Sequence, residues 1–314
     1  MDSARILVSG AAGFVGSHLT RRLLAEGYTI GVILRRSSDT RRISDVVPML
    51  QVFWADLEDL SRVRRELIEF APDCAVDLAW RGVGNAQRND LDQMRNLRSG
   101  FEFLQVLKAA GCRTFVGLGS QAEYGPCGCA ISENYPTNPT TIYGLAKLCC
   151  SLRTREFCAS NGLRFVWLRL FSCYGPGDET RWLIPYVTLA LLRGDRPALT
   201  PGEQRWDFIH VRDVVEAILC VLRNDQAEGV FNLGSGEAPS LRSTIEYLRD
   251  LIDRSLPLGF GEVAYRPDQV MLLQADISRL ATTTGWRPRV GLSEGLRETV
   301  EWYRRRKLRA MADV

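Results

Sequence analysis

The chain is short of one-sided charge, of histidine and of long apolar runs. Its 40 lysines and arginines nearly cancel 37 acidic residues, for a formal net charge of +3. The two signs are mixed along the chain, which excludes the basic face that a nucleic-acid backbone needs; Arg304 to Lys307 reads as a solvated helix end. No apolar stretch approaches the ~20 residues of a membrane-crossing helix, and the first residues enter a strand pattern without a charged and then apolar leader. A cytoplasmic protein with no membrane partner and no nucleic acid is the expectation. With two histidines and only a CxC pair at Cys127 and Cys129, the nine cysteines do not have metal-site spacing, so no metal is expected. Cys149 and Cys150, adjacent among helical residues, do not read as a disulfide framework either.

Hydrophobic residues make up 46% of the 314, enough for a large core in one fused unit or two lobes. Strand patterns near 5–9, 29–34, 50–54, 74–79, 113–118 and 164–170 alternate with amphipathic helices, which predicts an α/β, Rossmann-type doubly wound parallel sheet. After Tyr174-Gly-Pro-Gly the pattern loosens into helices at Trp182 to Arg193 and Ser240 to Arg254, a smaller C-terminal α/β substrate lobe. The expected division is 1–172 for the dinucleotide-binding domain, with part of the later chain returning to it, and 173–314 mainly for substrate.

Two segments carry chemistry. In RILVSGAAGFVG a buried strand runs into Gly10, Gly13 and Gly16 and then into a helix. Glycines there let the backbone approach a pyrophosphate at a helix N-terminus, although a plain strand-to-helix turn has the same look. In YGLAK, Tyr143 and Lys147 are four apart, on one helical face, with the ammonium able to lie near the phenol. A cation there lowers the phenol pKa, as proton exchange with a sugar hydroxyl or ketone requires; a surface pair on an ordinary helix has the same spacing.

Taken in order, GAAGFVG, VDLAW, GLGSQAEYG, YGLAK, LRLFSCYGPGD, RWDFIHVRDVV and FNLGSGE resemble the extended short-chain dehydrogenase/reductase family, that is, the NAD-dependent epimerases, dehydratases and reductases of nucleotide sugars. The resemblance implies that Ser120, Tyr143 and Lys147 are catalytic. It places Gly10, Gly13, Phe14, Val15, Gly16, Asp56, Leu57, Leu78, Ala79 and Trp80 along the dinucleotide, together with Tyr143 and Lys147. Where NAD-using members usually carry Asp at the end of the second strand, this chain has Leu34 followed by Arg35, Arg36 and Ser37. Arginine suits a ribose 2′-phosphate, so NADP(H) is the preferred cofactor, with NAD(H) possible if these arginines merely cover the sheet edge.

The dehydratase members carry Asp and Glu where this chain has Gln121 and Ala122, and Glu123 on a strand end would point away, so dehydration is not expected. That leaves NADPH-dependent reduction of the 4-keto group of a nucleotide-linked 4-keto-6-deoxyhexose, in deoxysugar biosynthesis, or 4-epimerisation with tightly bound NAD. A non-catalytic dinucleotide-binding protein is the alternative from another class. Gln121, Ser172, Arg205, Trp206 and Arg266 are the candidate substrate residues. Ser172 replaces a family asparagine and Trp206 an arginine, while Arg205 and Arg266 fit either a pyrophosphate or plain solvation. A homodimer is also implied, with Phe101, Leu104 and Leu107 on one helix of a four-helix interface, unless they face the chain's own sheet.

Overall fold

The computed structural model describes residues 4–266 and 269–312. In the first half, β1 (Arg5–Ser9), α1 (Phe14–Ala25), β2 (Thr29–Leu34), β3 (Gln51–Trp54), α2 (Arg64–Phe70), β4 (Cys74–Asp77), α3 (Arg95–Ala109), β5 (Thr114–Ser120), α4 (Ile142–Asn161) and β6 (Arg164–Leu170) follow one another. The second half holds β7 (Ser172–Tyr174), α5 (Leu183–Arg193), β8 (Ala198–Leu199), β9 (Arg205–Trp206), β10 (Phe208–His210), α6 (Val211–Arg223), β11 (Gly229–Leu233), α7 (Leu241–Asp250), β12 (Gly259–Phe260), β13 (Leu272–Leu273), α8 (Ser278–Thr284) and α9 (Leu292–Ala312). The side chain of Lys307 lies outside the described residues.

Seven strands form one parallel sheet in the order β3-β2-β1-β4-β5-β6-β11. This is the expected doubly wound α/β fold, and the strand order reverses between β1 and β4. At that point the loops leaving the two strands part and open a crevice at the carboxyl ends. The long apolar runs follow from coverage on both faces. Ile6 and Val8 of β1 pack with Leu19 and Leu23 of α1 and Ile218 of α6, whereas Leu7 points to the other face, among Phe103 and Leu107 of α3 and Cys158 of α4. The later helices build a separate apolar cluster from Ile184, Val187 and Leu191 of α5, Ile245 and Leu248 of α7, and Leu296 and Val300 of α9.

The observed strands coincide with the expected ones to within a few residues. The surface of α3 does not match the expectation. Leu104 and Leu107 are fully buried in the chain's own core, and only Phe101, 43% exposed, looks outward, against Phe157 of α4. The spacing of 104 and 107 sets both on the stripe that meets the sheet, leaving 101 at its rim.

Candidate active site

A cleft of about 1060 Å³ opens above the carboxyl ends of the strands. Its floor is the turn from β1 into α1. Gly10 has φ +69°, and a Cβ there would lie 2.8 Å from the Ala79 amide nitrogen; a Cβ on Gly16 would lie 2.1 Å from the Gly10 carbonyl oxygen. Only glycine permits this packing of helix against strand end. On the far side, Ser9 Oγ accepts hydrogen bonds from the amides of Leu78 (3.2 Å) and Ala79 (3.1 Å), pulling the end of β4 over the turn. Gly13 caps α1 with no side-chain hydrogen bond, so the first helical amides face the cleft with the positive end of the helix dipole. Phe14, Val15, Gly16, Leu57, Leu78, Ala79 and Trp80 line the same wall. This cradle fits a dinucleotide pyrophosphate.

At the other end stand Ser120, Tyr143 and Lys147, each at most 7% exposed and all lining the cleft. Ser120 ends β5 and caps the next turn, its Oγ accepting from the Ala122 amide (3.2 Å) while Glu123 accepts from the Ser120 amide (2.9 Å). Glu123 also accepts from Trp167 Nε1 (2.9 Å) and Arg169 Nε (2.7 Å), so its carboxylate is used up inside the wall. Tyr143 opens α4, which the Thr141 hydroxyl caps by accepting from the Gly144 amide at 3.1 Å. A Cβ on Gly144 would lie 2.3 Å from the Ala122 carbonyl oxygen, and its absence lets α4 close on the Ser120 turn.

The cations are arranged otherwise than YxxxK spacing suggests. Lys147 Nζ donates to the Leu118 carbonyl (2.7 Å) and lies 3.7 Å from the centre of the Trp80 ring. Burial pulls its amine down to about 8, against the opposing charges of Asp77 and Glu123. The cation over the Tyr143 ring is Arg88, its guanidinium carbon 5.4 Å from the centroid. Burial pushes the Tyr143 phenol up, Glu123 adds to the rise, and the Ser120 hydrogen bond and the Arg88 charge oppose it. The Lys147 ammonium is turned onto the Leu118 carbonyl and the indole.

At the adenosine end, Arg35 lines the cleft beside Ser38, Asp39 and Arg42. Arg36 turns away and lies 5.4 Å over the exposed Trp54 ring, and Ser37 is not in the cleft wall either. β2 ends at Leu34, and the chain then turns, the Ser38 amide donating to the Arg35 carbonyl (2.9 Å), which carries Arg36 off the cleft while Arg35 stays in its wall. Asp39, which the motif reading passed over, is bound by Arg41 through Nη2 (2.7 Å), and this pairing holds its carboxyl well below the usual range. Asp56 lines the cleft and meets Arg81 at 3.3 Å.

Of the candidate substrate residues, Gln121, Ser172, Trp206 and Arg266 line the cleft. Arg205 does not: its Nε donates to the Ala238 carbonyl (3.0 Å), and the one-residue offset from Trp206 along β9 puts it on the opposite face. Asp178, behind Tyr174-Gly-Pro-Gly, is a buried carboxyl in the wall that burial raises to about 7. Arg88 belongs to no periodic or glycine-marked motif, so no local signal pointed to it; Asp178 closes the LRLFSCYGPGD segment, which gave the resemblance but no sign that its last residue is a buried acid. Among the described residues, no helix is long and apolar enough to cross a membrane, and no cluster of three potential metal ligands occurs.

Residues 6–234 match the model of the NAD dependent epimerase/dehydratase family. The chain is 30% identical to a UDP-glucose 4-epimerase from Azospirillum brasilense, over 96% of this chain and 92% of that protein. It is 26% identical to a dTDP-4-dehydro-6-deoxyglucose reductase from Escherichia coli, over 96% and 98%. Among solved structures, a UDP-glucose 4-epimerase from Thermus thermophilus in complex with NAD superposes with a TM-score of 0.84 at 26% identity, covering 96% of this chain and 99% of that one. A dinucleotide cradle at the strand-order reversal, a serine, tyrosine and lysine gathered at its far end and a family match over most of the length agree. The chain belongs to the NAD dependent epimerase/dehydratase family and is an enzyme of its nucleotide-sugar epimerase, dehydratase and reductase branch.

Proposed function

We propose that this enzyme reduces the 4-keto group of a nucleotide-linked 4-keto-6-deoxyhexose with NADPH, in deoxysugar biosynthesis. The observation that carries the reading is the end of β2: Leu34 stands where an acid would hold a ribose 2′-hydroxyl, and Arg35 faces the cleft. A guanidinium there favours a 2′-phosphate, and Asp39, a carboxylate in the wall beside it in sequence, is already bound by Arg41. The bound nicotinamide supplies the hydride. Ser120 Oγ holds the C4 oxygen, and the Tyr143 hydroxyl gives that oxygen its proton. Lys147 orients the cofactor ribose, and Trp80 supports its ammonium from below. Gln121 and Ala122 offer no acid or base for removing water, which argues against dehydration.

A second reading, 4-epimerisation with retained NAD, is favoured by a different observation: five similar curated relatives are UDP-glucose 4-epimerases, one of them so named only putatively. Both readings use the same three residues and differ in whether the cofactor leaves. The enzyme is offered a 4-keto-6-deoxyhexose nucleotide with NADPH, and separately UDP-glucose with nothing added. Oxidation of NADPH in the first tube supports the reductase; formation of UDP-galactose in the second overturns it in favour of the epimerase. A cytoplasmic homodimer belongs to the proposal. Phe101 on α3 and Leu145 and Leu152 on α4, each more than 40% exposed, are an apolar surface that a second copy could cover.

A further inference from the structure

The loop between β4 and α3 is built to hold one guanidinium beside the reacting phenol. The Arg88 carbonyl accepts the Tyr143 amide (2.8 Å), and Asn89 Oδ1 accepts the Ile142 amide (3.2 Å), which ties the loop to the first turn of α4. From the other side Gln93, 1% exposed, donates to the carbonyls of Gly82 (2.5 Å) and Gln87 (2.9 Å) and accepts from Trp80 Nε1 (2.8 Å). One buried amide thus fixes both the indole under Lys147 and the backbone that presents Arg88. The Arg88 side chain lines the cleft, its Nε is buried without a hydrogen-bond partner, and no carboxylate pairs with it among the described residues. A desolvated cation without an anion is costly, and the cost falls when a negative charge forms beside it.

We infer that Arg88 is a positioning residue that acts, in addition to Lys147, as a counter-cation of the Tyr143 phenolate. The inference rests on Tyr143 being the proton-transfer group, under either the reductase or the epimerase reading. As the phenol gives its proton to the substrate oxygen, the phenolate keeps the electron pair of the broken O–H bond and recovers a proton from solvent; Arg88 stays protonated throughout. The charged and polar groups facing the phenol are Arg88 from this loop, Ser120 at the end of β5, and Glu123 on the turn after it, which acts in the opposite sense. Lys147 on α4 is engaged with Leu118, and the charge of Arg266, which also lines the cleft, opposes that of Arg88.

The test is a phenolate titration by ultraviolet absorbance, on the folded protein with oxidised dinucleotide added and the signal of Tyr143→Phe subtracted. Arg88→Gln is expected to move the Tyr143 midpoint up by about one pH unit, a tenfold change in acidity, and Arg88→Lys to restore most of it. In the pH profile of turnover the limb governed by Tyr143 should move the same way, with kcat changing more than KM. An unmoved midpoint in Arg88→Gln with an unchanged melting temperature overturns the inference, as does a loss confined to KM. If instead Tyr143→Phe keeps its turnover, the reading of Tyr143 itself fails, a result distinct from failure at Arg88.

Discussion

The two ends of the cleft solve the same problem, holding charge against a ligand, in opposite ways. At the adenosine end Arg35 and Arg36 follow β2 in solvent, Asp39 answers Arg41, and salt and water screen every pair. At the reacting end Ser120, Tyr143 and Lys147 are nearly closed off, and a half-buried Arg88 has no carboxylate partner among the described residues. Charge is cheap to change at the first end and expensive at the second. The first should therefore tune which cofactor binds, the second whether the reaction runs.

The largest effect is expected at the closed end. Tyr143→Phe keeps the ring that Trp80 meets edge-on at 5.9 Å and removes only the transferable proton. Turnover should fall by about 10² to 10⁴, with dinucleotide binding within a few-fold of the parent. Single-turnover kinetics and a binding titration on the same sample check both halves; near-normal turnover would remove Tyr143 from the chemistry. Next comes the floor that both ends share. A Gly16→Ala methyl meets the Gly10 carbonyl at 2.1 Å, backbone against backbone, so α1 must shift. A stability loss of about 1–3 kcal/mol is expected, with weaker dinucleotide binding on top. Thermal melts with and without dinucleotide separate the two, and a variant with parental melting and affinity would show that the turn is looser than its packing implies.

How much of this was legible in the sequence follows the same divide. The sheet was legible because strands buried on both faces must be apolar throughout, and the cradle because only glycine tolerates a φ of +69° at Gly10 and the contact at Gly16. Tyr143 and Lys147 were legible as a spacing, but spacing on a helix says nothing of rotamers, and the Leu118 carbonyl and Trp80 ring decide where the ammonium goes. Arg36 and Arg205 were misplaced for local reasons: Arg36 stands in the turn after β2, one residue of offset along β9 sets Arg205 on the other face, and a charged residue carries no mark of which side it takes. Arg88 left no trace, since it reaches Tyr143 through a loop whose shape depends on a glutamine five residues on, and no periodicity encodes that.

Two carboxyls in the cleft wall sharpen the comparison. Asp39 is solvent-exposed and held low by Arg41, whereas Asp178 is buried and raised from 3.8 to about 7. Because its folded pKa lies above its unfolded one, the native state holds the Asp178 proton longer, and stability falls as pH climbs through the window between those two values. Asp178→Asn should therefore stabilise the protein by about 1–2 kcal/mol at about pH 8 and by much less at about pH 5. Chemical denaturation at the two pH values checks it; an equal effect at both would show that the carboxyl stays ionised throughout.

The smallest effect is expected at the open end, and it bears on the cofactor. Arg35 lines the cleft and Arg36 lies over Trp54, so the two side chains should not contribute equally to binding a 2′-phosphate. Arg35→Ala removes an exposed, charge-assisted contact, expected to be worth about 1–2 kcal/mol, or roughly five- to thirty-fold in NADPH affinity at low salt. The loss should shrink as salt is raised, because nothing at this end excludes water. Arg36→Ala should change NADPH affinity less than about twofold, since what it loses is a surface contact with an indole. NADH affinity should be indifferent to both, as it carries no phosphate at that position. Titrating both cofactors against the two variants gives four ratios. Equal losses of NADPH and NADH in Arg35→Ala would show that this arginine shapes the pocket generally and would remove the ground for NADPH preference. A larger loss from Arg36→Ala would mean that the side chain leaves Trp54 when the cofactor arrives.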